Sequence, residues 1–189
     1  MTAPDRETLD SLAQPRSVFA EHHRVAFGVM CAGFACIGAL AGLAMLTRAP
    51  WIFPSLGASS FLLFSAHETD AASPRNVLLG HGIAILCGYF ALMATGLLLA
   101  PPSVVAGVDG QRVLAAAISL GLTGAFMVVF RTGHAPAGAT ALIVSLGLVG
   151  QPLFERLFIV EGAVALLVLM AFVIHRCRGR RYPFWTHVR

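Results

Sequence analysis

Pro54-Ser55-Leu56-Gly57-Ala58-Ser59-Ser60 runs into the apolar Phe61-Leu62-Leu63-Phe64, and the chain later repeats the pattern. The second copy reads His134-Ala135-Pro136-Ala137-Gly138-Ala139-Thr140-Ala141 and runs into Leu142-Ile143-Val144. Gly57 and Gly138 are 81 positions apart, and the same offset carries Arg75 onto Arg156. Each arginine opens a long apolar run. Paired, short, Gly/Pro-interrupted hydrophobic segments in corresponding halves of a chain point to the substrate site of a membrane transporter.

The composition makes that class available. Of 189 residues, 57% are hydrophobic and 12% charged, with a mean hydropathy of +0.79, far from the balance of a soluble domain. Four runs, near Val25–Leu46, Val77–Ala100, Val113–Phe130 and Leu157–Ile174, reach the roughly twenty residues that a bilayer core requires. In lipid each backbone polar group must be satisfied internally, so these runs are helices and the chain is an all-α polytopic membrane protein.

Segments 1–24 and 176–189 are the only sizeable polar pieces, and neither is long enough to bury a core of its own. The first carries Asp5, Glu7 and Asp10 and lacks a cationic start, so it does not read as a cleaved leader. Cys31, Cys36, Cys87 and Cys177 form no C-x-x-C pair and read as small hydrophobes, not as a disulfide or zinc framework. All 13 basic residues are arginine. Arg6, Arg16 and Arg24 precede the first run, and Arg176, Arg178, Arg180, Arg181 and Arg189 crowd the C-terminus. The positive-inside rule explains this without nucleic acid and places both termini in the cytoplasm of a bacterial-type inner membrane.

The two motif segments are short for spanning helices. They read either as re-entrant loops in a four-span protein or as crossings built from an extended stretch plus a half-helix. Six extended and ten helical residues cover about 35 Å, enough for about 30 Å of hydrocarbon. Six crossings leave Arg48, Arg112 and Arg156 outside; four leave Arg48, Arg75, Arg131 and Arg156 outside. The charge rule leans toward six. A three-crossing repeat is necessarily inverted against its copy, so the expected architecture is two inverted repeats, 25–100 and 112–175, joined by a loop over 101–111.

A helix beginning in mid-membrane exposes unpaired N–H groups and about half a positive charge. Gly57 and Gly138 allow a close backbone approach, Ala58 and Ala139 keep the turn narrow, and Ser59, Ser60 and Thr140 bring hydroxyls. Two such starts facing one another suit a small anion. Each contributes only about 0.3–2 kcal/mol, against tens for stripping an ion of water. The site therefore needs hydration, His134, Arg131 or a proton. Pure helix packing by the same small residues is the competing explanation.

Gly57-Ala58-Ser59, Pro74-Arg75-Asn76, Gly80-His81 and His134-Ala135-Pro136-Ala137-Gly138-Ala139-Thr140-Ala141, in this order, resemble the HPP family of integral membrane proteins. Ala135 stands where that family carries its first proline; alanine restores an N–H and frees His134 from an extended bias. Plant members look like plastid nitrite transporters, so the resemblance implies a small anion such as nitrite.

His81, His134, Glu161 and Arg131 lie within or beside apolar runs, where ionisable residues are functional candidates. His134 heads the second half-helix, as an anion or proton donor or as a helix-entry cap. His81 and Glu161 sit about 9 Å and about 7.5 Å beyond Arg75 and Arg156, short of the midplane. Snorkelling or a structural hydrogen bond competes there with proton relay or gating. Arg75 and Asn76 read as an interfacial anchor or an anion-attracting vestibule. Gly38 and Gly42 suit a helix contact or a homodimer. The spans contain no G-x-S-x-G, H-E-x-x-H or paired catalytic carboxylates, and nothing in them asks for a cofactor or metal. A non-transporting scaffold or sensor subunit is the rival to an anion transporter.

Overall fold

The computed structural model describes residues 6–186, with side chains from residue 22 onward. Asp5, Arg6, Glu7, Asp10, Arg16 and Arg189 therefore lie outside the described side chains. Among the described residues the elements are helical: α1 (Arg6–Thr47), α2 (Pro54–Ser65), α3 (Pro74–Ala94), α4 (Ser103–Ala106), α5 (Gly110–Val129), α6 (Pro136–Ser145) and α7 (Leu153–Cys177), with a 3-10 turn at Asp70–Ala72.

Local chemistry sets the boundaries. Pro54, Pro74 and Pro136 open α2, α3 and α6, where the missing N–H is no loss and φ is preset. Asp109 caps α5 by accepting from the Arg112 N–H at 2.8 Å. Four helices, over His22–Thr47, Pro74–Ala94, Gly110–Val129 and Leu153–Cys177, are long and apolar enough to cross a bilayer. The second stops at Ala94 and not at Ala100. Gly96 takes φ +71°, and the Leu97 N–H returns to the Leu92 carbonyl to close the last turn. The helix α1 begins at Arg6, ahead of the apolar span that starts at His22. The short segments also differ from one another. Phe53, before α2, is extended (φ −156°, ψ 158°), but Ala135, before α6, is helical (φ −51°, ψ −38°). Ala135 itself is thus not extended, although Pro136 disfavours that helical conformation.

Polar side chains tie the helix ends into two layers. At one, His175 donates to the Leu63 carbonyl at 3.0 Å and Arg178 to that of Gly28 at 3.3 Å. Tyr182, its phenol held neutral by burial, donates to the Ala72 carbonyl at 2.7 Å. Arg75 caps α5 there through the carbonyls of Phe130 and Arg131 at 3.0 and 2.9 Å. At the other, Arg112 donates to the carbonyls of Ser145 and Pro101 at 2.9 and 2.7 Å, and Gln151 to that of Leu98 at 2.7 Å. The ends of α2, α5 and α7 share the first layer with the start of α3. The ends of α3 and α6 share the second with the starts of α5 and α7. The short helices α2 and α6 therefore finish at opposite layers.

A core of Leu40, Leu56, Leu63, Val144, Val164 and Leu167 joins α1, α2, α6 and α7. Large apolar side chains such as Phe34, Leu46, Leu86 and Val128 stay exposed around it, as a lipid-facing surface allows. Closest approach is reserved for α3 against α6. A methyl on Gly88 would lie 2.7 Å from Val144 Cβ, and one on Gly80 3.0 Å from His134 Cβ. Gly38 and Gly42 instead meet nothing within 4 Å, so their small-residue face packs on no part of the described chain. We expect Gly88→Ala to cost about 1–3 kcal/mol through overpacking, read as a lowered unfolding midpoint in detergent. Gly82→Ala, with nothing within 4 Å, should leave the midpoint unchanged or raise it.

Candidate functional site

Ser55 and Ser59 are four residues apart and so share one face of α2. His134 and Thr140 face them from the start of α6, and His81 enters from α3. All five are at most 1% exposed. Ser59 Oγ lies 2.9 Å from His81 Nε2 and 2.9 Å from His134 Nε2. Thr140 Oγ1 lies 2.7 Å from His81 Nδ1 and 2.6 Å from Ser55 Oγ. His134 Nδ1 lies 2.8 Å from the Ala71 carbonyl, and the imidazole centroids are 5.1 Å apart. Ser55 meets Thr140 and Ser59 meets His134, so α2 and α6 pass antiparallel with their first turns overlapped.

These contacts dictate where the protons lie. A carbonyl only accepts, so His134 donates through Nδ1. With both imidazoles neutral, His134 Nε2 must accept from the single Ser59 hydroxyl proton. Ser59 then accepts from His81 Nε2–H. His81 Nδ1 accepts from Thr140, which accepts from Ser55. One orientation satisfies the whole chain of bonds. A proton added to His134 Nε2 would remove the acceptor of the Ser59 hydroxyl and leave that hydroxyl proton without a partner in the network.

The remaining expected site residues separate. Gly57, Ala58 and Ala139 are exposed and Gly138 is half-buried; a methyl on Gly57 would meet nothing within 4 Å. The tight helix–helix contacts lie at Gly80 and Gly88, a different matter from the backbone approach to a ligand expected at Gly57 and Gly138. Ser60 is buried, and its hydroxyl has no partner. Arg75 is spent on capping α5 and on the Asn76 side-chain oxygen at 3.1 Å. Arg131 is exposed at φ +52°, ending α5 where glycine is usual. Glu161 lies on α7 with one carboxyl oxygen buried and unpartnered, outside the histidine network. His81 does not snorkel; both of its nitrogens are bonded inside. Sequence reasoning passed over Ser55, although its spacing from Ser59 was a usable signal, and over the buried Arg112. Among the described residues no group of three His, Cys, Asp or Glu side chains is placed to hold a metal.

No solved structure matches the chain. A transmembrane protein of Dictyostelium discoideum is 30% identical over 139 residues, which is 71% of this chain and 42% of that protein. A second from the same organism is 28% identical over 134 residues, 69% of this chain and 44% of its own length. The chain thus spans less than half the length of these curated relatives. A family model described as HPP, transmembrane region, matches residues 18–183, which is nearly the whole helical bundle built around the His81–Ser59–His134 network, and the chain belongs to that family.

Proposed function

We propose that this protein is a transporter of a small monovalent anion, nitrite foremost, that moves its substrate together with a proton. On this reading it catalyses no covalent chemistry and works as a homo-oligomer, a dimer for preference, in a bacterial-type inner membrane with both termini cytoplasmic. Its two halves are inverted repeats of three crossings, in which α2 and α6 are half-helices whose first turns meet near the membrane centre. The opposite layers at which α2 and α6 finish support the inversion.

The observation that carries the proposal is the closed hydrogen-bond chain from Ser55 to the Ala71 carbonyl where the two helices pass. Two helix starts alone offset too little of an anion's desolvation. An imidazolium supplies a full positive charge and a charge-assisted donor. Proton entry at His134 converts the network from self-satisfied to anion-pairing, and the pair crosses without net charge. Gly57, exposed, and Gly138, half-buried, stand beside this network and take no part in its bonds. The complete satisfaction of the network in this closed arrangement also favours the scaffold reading, in which it only fastens α2, α3 and α6.

Imidazole nitrogen NMR checks the wiring: the proton should reside on Nδ1 of His134 and on Nε2 of His81. The same tautomer at both positions would break the chain of donors. Uptake into proteoliposomes from a panel of nitrite, nitrate, formate, bicarbonate and chloride, with and without an inward proton gradient, tests the function. Nitrite uptake driven by the gradient is expected, falling about ten- to hundredfold in Ser59→Ala as a link worth about 1.5–3 kcal/mol to a charged imidazole is lost. A folded wild type that passes no anion establishes the scaffold.

A further inference from the structure

A groove on the layer that holds the C-terminal segment is unrelated to the histidine network. Its lower part, between α1 and α2, is apolar, with Val25, Val29, Met30 and Phe61 in its wall. Met30 and Phe61 are 60% and 63% exposed, so this part opens sideways toward lipid. Val25 also lines two adjoining hollows, one walled by Arg24, Arg178 and Arg180 and the other by Arg180 and Arg181. Apolar wall and cationic rim are thus one continuous surface.

The heights match a lipid. Arg24 lies beside the start of the apolar span His22–Thr47 and Arg178 just past the end of Leu153–Cys177, which places both guanidinium groups at headgroup level. The charge is unbalanced. Glu68 is the one carboxylate among the lining residues, and it lies 3.9 Å from His67 Nε2. Arg178 donates to the Gly28 carbonyl, while Arg24 and Arg181 have no acceptor among the described residues. Guanidinium groups around one hollow match phosphate oxygens, and basic pockets between membrane helices recognise anionic headgroups.

We propose that this groove is a binding site for one anionic phospholipid, its phosphate held among Arg24, Arg178, Arg180 and Arg181 and an acyl chain lying along Val25, Val29, Met30 and Phe61. The lipid would brace the end of α2, the helix that carries Ser55 and Ser59. The full chain in nanodiscs, titrated with phosphatidylglycerol, phosphatidylcholine or soluble glycerol phosphate, tests this by native mass spectrometry and thermal unfolding. Phosphatidylglycerol should be retained and raise the unfolding temperature, with phosphatidylcholine and glycerol phosphate doing neither. Arg24→Gln with Arg181→Gln, both at exposed positions, should weaken retention about thirtyfold with the unfolding temperature in phosphatidylcholine unchanged. Phe61→Ser should weaken it independently of charge. Equal retention of the two lipids, or undiminished retention by the arginine variant, overturns the site; binding of glycerol phosphate alone with equal affinity shows a soluble-anion site and overturns the lipid.

Discussion

Hydrocarbon offers no hydrogen-bond partners, so each polar group carried into it must find one within the protein. Ser55, Ser59, His81, His134 and Thr140 meet that demand with one another and with a single carbonyl, that of Ala71. The same demand explains the arginines. Arg75 and Arg112 are not loose interfacial charges; Arg75 bonds the carbonyls of Phe130 and Arg131 where α5 stops, and Arg112 bonds that of Ser145 at the end of α6 and that of Pro101 in the loop before α4. Short helices need such service more than long ones, because a larger share of their backbone is terminal.

The helix α3 makes this economy possible. Gly80 and Gly88 bring α6 against it closely enough that a methyl at either would collide with His134 or Val144. His81, beside Gly80, can then reach both short helices at once. Packing and polar chemistry are therefore one construction, and a bulkier residue at Gly80 would shift His134 as well as lower stability. Such coupling ties the placement of α2 and α6 to one side chain on α3.

The network resembles a switch in one physical respect. Neutral imidazoles permit a single orientation of its protons, and a proton added at His134 Nε2 takes away the acceptor of the Ser59 hydroxyl. A fully satisfied buried network is rigid, and a partly satisfied one is costly, so protonation and loss of this arrangement go together. The residues around it, Gly57, Ala58 and Ala139, remain exposed and are free to face lipid or a second copy of the chain.

From the sequence alone came the membrane class, the helical content, the pairing of the two Gly-Ala-Ser/Thr segments and the family, because hydrophobic length and an ordered motif are local properties of the chain. His134, Ser59 and Thr140 were legible as candidates for the same reason. Their partners were not. That His81 reaches Ser59 and Thr140, that Ser55 completes the chain of donors, and that Arg75 and Arg112 cap helices follow from contacts 11 to 85 positions apart, and no periodicity encodes these. The tight contacts at Gly80 and Gly88 were likewise not legible, since whether a hydrogen must replace a methyl depends on which helix lies opposite, and only tertiary packing decides that.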